Sequence, residues 1–205
     1  MDIKSIIDNS LNIYRHGSLV YGTFVPGISD YDHIVILPDS YAYMDASQYE
    51  EENNQYTFYV QSTWQKMLDN NEVSAIESYL LPPEHILKET IKFSTILNTS
   101  KIRDQFSKTA SNSYVKCKKK LEVEDSFNPY VGKKSLWHSL RILDFGIQIL
   151  KYGKIIDYTS VSYLYKELIS NESISWEYYR NMYKPIYNNL KTQFKLMEKE
   201  SVLQM

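Results

Sequence analysis

Gly17 and Ser18 stand shortly before Asp30 and Asp32 in the stretch GSLVYGTFVPGISDYDHIVIL, residues 17–37. The two carboxylates, at i and i+2, lead into the apolar run Ile34, Val35, Ile36 and Leu37. The side-chain period of a strand is two, so on a strand they project from one face, close enough to hold a divalent metal jointly. A glycine lets backbone approach a ligand closely, and the Ser18 hydroxyl with neighbouring amides suits phosphate oxygens. Together these residue types are equipped for phosphoryl or nucleotidyl transfer. The same types also build plain turns, and Asp-x-Asp alone occurs on solvated strands.

A second group lies far along the chain. Lys134, His138 and Arg141 recur at i, i+4 and i+7, away from the apolar stripe Leu136, Leu140, Leu143, Ile147 and Leu150 of the same helix. A positive line at that spacing suits nucleotide phosphates; the lesser alternative is a solvated helix face with the arginine stem laid along it. Glu77 reads either as a brace behind the site or as a helix-surface acid. His16 and His33 flank the first motif without metal-ligand partners at a recognisable spacing, which points to structural roles. The single cysteine, Cys117, reads as a helix residue, and one cysteine excludes an internal disulfide framework.

The elements that must position these groups follow from periodicity. Ile3, Ile6, Ile7 and Leu11 mark an opening helix, and residues 12–16 a first strand that delivers Gly17 and Ser18 at its end. Pro26 and Gly27 break the connection to the aspartate strand, residues 31–37. Residues 38–54 read as a loop or irregular insertion, 55–60 as a third strand, and Ser62 and Thr63 as N-caps of the helix that follows. A short helix over 73–80 is stopped by Pro82 and Pro83, after which the pattern turns almost wholly helical. This places a domain boundary near Pro83, dividing the chain into 1–83 and 84–205. Helices are expected over 101–121 and over 133–152, the latter ended by Gly153 in a left-handed conformation. In the last helix Trp176, Tyr179, Tyr183, Ile186, Leu190, Phe194 and Met197 form a packing stripe, with Pro185 kinking or interrupting it.

Composition bounds the rest. The chain has 205 residues, 43% of them hydrophobic, a net charge of −2 and a pI near 6.1. That is enough apolar content for a real core, and the charge argues against nucleic-acid binding over the whole surface. Residues 101–134 are nonetheless locally basic. No apolar run approaches a membrane span and the first residues do not read as a signal peptide, so a cytoplasmic protein without a membrane partner is expected.

The string His16-Gly17-Ser18, Tyr21-Gly22-Thr23, Pro26, Ser29-Asp30-Tyr31-Asp32 resembles the signature of the DNA polymerase β-type nucleotidyltransferases. Its particular form is closest to a predicted nucleotidyltransferase group that includes RNA-ligase-associated (RNA repair) polymerases. Lys134-x-x-x-His138-x-x-Arg141 is similar to a helix that follows the catalytic domain in that group. The order Tyr56 to Tyr59, Ala75-Ile76-Glu77, then Leu81-Pro82 is similar to the middle of those proteins. The resemblance implies an α/β (α+β) architecture: a small mixed-sheet nucleotidyltransferase domain, then an α-helical C-terminal domain closing over the nucleotide. It implies Mg²⁺ or Mn²⁺ on Asp30 and Asp32, which are then the catalytic pair. It implies an NTP held by Gly17, Ser18, Lys134, His138 and Arg141. The nucleoside monophosphate would pass to an acceptor hydroxyl: an RNA 3′ end, which has a modest preference, a protein hydroxyl, or a small molecule such as an aminoglycoside. Members usually place a third carboxylate on the strand beside the aspartates, and here that position falls near Gln55, with Glu50, Glu51 and Glu52 a few residues upstream. A catalytically weak or inactive nucleotide-binding protein of the same fold, antitoxin-like in role, is the alternative that Gln55 supports.

Overall fold

The computed structural model describes residues 3–201. Five strands form one mixed sheet in the order β3-β4-β2-β1-β5: β1 Asn12–Arg15, β2 Tyr31–Leu37, β3 Gln48–Glu51, β4 Asn54–Val60 and β5 Ile86–Glu89. Only the β2–β4 pair is parallel, and Asp32 stands opposite Gln55 in it. The others are antiparallel.

Strand β2 is central because its second half is apolar on both faces, as a strand covered on two sides must be. Val35 and Leu37 join Phe58 and Ile6, the latter from helix α1 (Ile3–Asp8), in a core that also takes up Ile13 and Tyr49. On the other face, Ile34 and Ile36 are buried, and Trp64 of helix α2 (Gln61–Asp69) lies against the rings of Tyr14 and Tyr59 at 6.0 and 5.6 Å. Helix α3 (Val73–Tyr79) follows α2 and packs on it.

Three expectations are corrected here. The segment 38–54 is not a loop: it holds a 3-10 stretch over Asp39–Met44 and the edge strand β3, which forms a hairpin with β4. Its sequence is polar because β3 is covered on one side only, with Tyr49 its one half-buried residue. Ser62 and Thr63 do not cap α2. The caps come from the preceding segment: Ser62 N–H donates to Asp39 Oδ1 (2.9 Å), Val60 N–H to Asp45 Oδ1 (3.0 Å), and the Thr63 hydroxyl to Asp45 Oδ2 (2.6 Å). Carboxylates there also meet the positive end of the helix dipole, and the bonds from Ser62 hold the Asp39 carboxyl below its ordinary range.

The third correction is the boundary. The chain divides into compact units at 1–96 and 97–205, later than Pro83, because β5 adds to β1 and the segment after it is tied to the sheet by side chains. Asn12, fully buried, accepts from the amides of Thr90 and Ile91 (3.1 and 3.2 Å) and donates to the Ile91 carbonyl (2.9 Å). Asn71 donates to the Ile96 carbonyl (3.1 Å) and Gln65 to that of Ser94 (2.9 Å). These side-chain bonds engage backbone groups beyond the end of β5, where the Thr90 N–H also reaches the Leu11 carbonyl (3.0 Å).

The second unit contains α4 Thr99–Glu122, α5 Pro129–Tyr152, α6 Ser162–Ser170 and α7 Trp176–Ser201. Helix α5 is its centre, in contact with the other three and buried around most of its circumference. Asn128 caps α5 by accepting from Val131 N–H (3.0 Å) with Pro129 in the first turn, so the helix starts four residues before the expected position. Gly153 ends it at φ +68°, its N–H returning to the Ile149 carbonyl, as expected of a left-handed cap. Gly146 lets the helices approach: a Cβ there would stand 2.7 Å from the Phe194 ring and 3.3 Å from Phe106. In α7 the buried stripe is Trp176, Tyr179, Tyr183, Tyr187 and Phe194, with Ile186, Leu190 and Met197 half-buried beside it. Cys117 is buried in α4, where burial pushes its thiol up to about 12.

Candidate functional site

The turn after β1 is where the first motif comes together. His16, still extended, donates its N–H to the Asp32 carbonyl (2.9 Å), which fixes the end of β1 against β2. The chain then turns sharply through a 3-10 stretch, Gly17–Leu19, with Val20 and Tyr21 amides both returning to the Gly17 carbonyl (3.1 Å each). Gly17 has φ +67°, a conformation that costs any other L-residue. A second reason holds glycine there: a Cβ would fall 1.8 Å from Asp32 Oδ2. The Asp32 carboxylate thus lies directly against the backbone of the Gly-Ser turn.

Asp32 is half-buried in β2, and Asp30, one residue before the strand, is exposed. Ser18 Oγ is buried and has no protein hydrogen-bond partner. A buried hydroxyl left unsatisfied costs free energy, and this one belongs to the turn whose Gly17 backbone lies against the Asp32 carboxylate.

Behind the turn runs a buried polar chain. Tyr21, at 2% exposure, donates its hydroxyl to Glu77 Oε2 (2.6 Å) and lies 3.3 Å from His16 Nε2. Glu77 is 1% exposed, so of its two readings the surface acid is excluded. The partners lie 56 positions apart, and no local pattern connects them.

The position beside Asp32 belongs to Gln55, as the register expected from the sequence placed it. Gln55 Nε2 donates to Glu50 Oε1 (3.0 Å), with Glu50 opposite it on β3. The row Asp32, Gln55, Glu50 therefore interposes a neutral amide between two acids. Glu51 stands opposite Asn54 in the β3–β4 ladder, and Glu52 turns the chain at φ +54°. Among the described residues no group of three or more His, Cys, Asp or Glu side chains is placed to hold a metal. Asp30 precedes β2, so the two aspartates do not both stand on the strand as expected; Mg²⁺, which binds through one or two carboxylates, keeps waters and takes its other oxygens from phosphates, is the kind of ion that so few protein ligands suit.

His33 faces the opposite side of β2, stacked on Tyr56 at 5.1 Å. Burial, with Arg15 opposite it, lowers its pKa against the bonds that raise it. In the second unit, Lys134 is exposed, His138 half-buried and Arg141 buried at 4% exposure. The Arg141 guanidinium lies over the rings of Phe145 (4.9 Å) and Trp137 (5.7 Å). The three do not share one solvated line: the arginine sits among aromatic rings, and Lys133, next in sequence, is also buried and donates to the Asn171 carbonyl.

No protein-family model matches the chain, and no curated protein matches it. Its fold defines an α/β protein with an N-terminal five-stranded mixed sheet and helices, then a C-terminal helical region. Among the described residues no helix is long and apolar enough to cross a membrane.

Proposed function

We propose that this protein is a metal-dependent nucleotidyltransferase, moving a nucleoside monophosphate from an NTP to an acceptor hydroxyl. The observation that carries the reading is the Gly17–Ser18 turn laid against the Asp32 carboxylate, with Ser18 Oγ buried and lacking a protein partner. Asp30 and Asp32 hold Mg²⁺ or Mn²⁺, while Gly17 and Ser18 receive the β- and γ-phosphates, the glycine allowing close approach and the hydroxyl donating a hydrogen bond. Bound there, the ion supplies charge neutralisation on the triphosphate and acidifies a coordinated hydroxyl. The Tyr21–Glu77 bond keeps the turn from moving when the triphosphate enters. Acceptors of three kinds fit this chemistry: an RNA 3′ end, a protein hydroxyl or a small molecule.

One observation favours a second reading, a nucleotide-binding protein with weak or no transfer activity. Gln55 fills the strand position beside Asp32 and brings no charge, so one anionic ligand is absent from the row. Calorimetry with Mg²⁺-ATP, combined with incubation of labelled NTPs and a cell extract, decides between them. Binding with label transferred to an extract component supports the transferase. Binding without transfer to any fraction supports the second reading. Unchanged affinity in an Asp30→Asn/Asp32→Asn variant sinks both.

A further inference from the structure

Helix α7 carries its charge in an unusual way. Between Glu177 and Glu198 it has four cations, Arg180, Lys184, Lys191 and Lys195, and no acid. At about 100° per residue these four and Asn188 fall within an arc of about 80°, and they run about 22 Å along the helix. All five are exposed, and by position in the sequence acids bound the stripe within the same arc at both ends, Glu177 before Arg180 and Glu198 after Lys195. Among the described residues none of the four cations makes an ion pair with a carboxylate. Like charges at i, i+4 repel and weaken a helix. A stripe of four cations with acids only at its two ends keeps part of that repulsion, and an anionic partner offsets it.

A second feature lies on the same stripe. Arg180, Asn181, Lys184, Pro185 and Asn188 line a shallow, open depression on the helix surface. Pro185 lies inside the helix and has no N–H, so the Asn181 carbonyl does not receive its helical hydrogen bond. The depression therefore presents a carbonyl acceptor and the Asn181 amide beside Arg180 and Lys184, with the Asn188 amide one turn further along. Cations alone suit any anion. Cations spaced along a line, with amide donors and acceptors beside them, suit a chain of phosphates, and a single strand leaves every sugar and base edge free to meet those amides, where a duplex shows them only in its minor groove.

The stripe also has a fixed floor. Tyr187, beside it, stacks on Tyr114 of α4 at 4.5 Å and meets the Ser111 hydroxyl at 3.3 Å, and Lys191 lies 6.0 Å over the Tyr187 ring. These contacts hold α7 against α4, so the cations project from a packed surface and not from a mobile segment.

We propose that the Arg180–Lys195 face of α7 binds the phosphodiester backbone of single-stranded RNA. It rests on the reading above only for the further claim that the bound strand is the acceptor. The test is fluorescence anisotropy of the full chain with a fluorescein-labelled 20-nucleotide RNA of mixed sequence, titrated between 50 and 200 mM KCl. Three proteins are compared: the wild type, a stripe variant (Arg180→Gln, Lys184→Gln, Lys191→Gln, Lys195→Gln) and a control of equal charge loss at exposed sites elsewhere (Lys116→Gln, Lys119→Gln, Lys154→Gln, Lys166→Gln). Each phosphate neutralised on a single strand contributes roughly 0.7 to the slope of log affinity against log salt. The stripe variant should bind at least about tenfold more weakly at 50 mM KCl and lose roughly 2 to 3 from that slope, while the control stays within about threefold of wild type. Equal losses in both variants, no binding by the wild type, or tighter binding of a duplex or of phosphatidylserine vesicles would overturn the proposal. Since all substituted side chains are exposed, a melting temperature no lower than that of the wild type shows that a loss is not unfolding. An Asp30→Asn/Asp32→Asn variant should bind the RNA as the wild type does. If it does while wild type fails to bind Mg²⁺-ATP, the transferase reading falls and this one stands.

Discussion

The Asp32 carboxylate occupies the space where a side chain at residue 17 would stand, 1.8 Å from the Cβ that Gly17 lacks. Gly17 and Gly153 have nearly the same backbone conformation, φ +67° and +68°, but a Cβ at Gly153 would meet nothing within 4 Å. The pair separates two effects. Gly153→Ala carries the left-handed penalty alone, about 1 to 2 kcal/mol. Gly17→Ala carries it with a steric conflict that must displace Asp32, so it should lose more than about 2 kcal/mol and also abolish Mg²⁺-ATP binding. Urea unfolding and calorimetry on both variants measure this. Equal destabilisation with intact binding in Gly17→Ala would show that the turn relaxes away from Asp32.

Gln55 is the position at which activity is tunable. Gln55→Asp should tighten Mg²⁺ binding or raise the transfer rate, since it adds a charged oxygen beside Asp32 and removes the donor that engages Glu50. Without metal, three acids then share one row and repel, so the variant's melting temperature should rise with Mg²⁺ more steeply than that of wild type. Glu52→Gln, in the turn, should change neither property. Thermal melts across a Mg²⁺ titration read the difference, and identical curves for Gln55→Asp and wild type would remove Gln55 from the site.

The Tyr21–Glu77 hydrogen bond should count as a buried bond to a carboxylate. Tyr21→Phe and Glu77→Leu each remove one side of a buried hydrogen bond to a carboxylate, so each should cost about 1 to 3 kcal/mol, whereas the double variant should cost less than the sum. A coupling of about 1 to 3 kcal/mol in a double-mutant cycle is expected, and additivity would mean that the 2.6 Å contact contributes nothing of its own.

Burial lowers the pKa of both His33 and His85 in the folded protein. A depressed histidine binds fewer protons when folded than when unfolded, so stability falls as pH drops through the unfolded value near 6.5 and recovers above it. The unfolding free energy should therefore rise between pH 5 and 7. His33→Gln/His85→Gln should flatten that rise in urea titrations at several pH values, and an unaltered slope would assign it to other groups.

Local residue choice determined much of this chain. The apolar run 34–37 dictates a strand buried on both faces, Gly153 an αL stop, and the tyrosine and phenylalanine spacing of α7 a packing stripe, because periods of 2 and 3.6 and the freedom of glycine act within a few residues. The register that sets Gln55 beside Asp32 was also legible, from the strand pattern and the family resemblance together. The edge strands β3 and β5 were not, since a strand of four residues covered on one side leaves almost no alternation to read. Nor were the caps of α2, because Asp39 and Asp45 reach it from a different segment. Arg141 has the spacing of a surface residue and lies among rings, a fate decided by what packs around its helix. Glu77 looked equally suited to surface or support until Tyr21, 56 residues away, came within 2.6 Å. Periodicity places a side chain on a face of its own element, whereas burial and pairing depend on which distant element covers that face, and only the folded chain brings the two together.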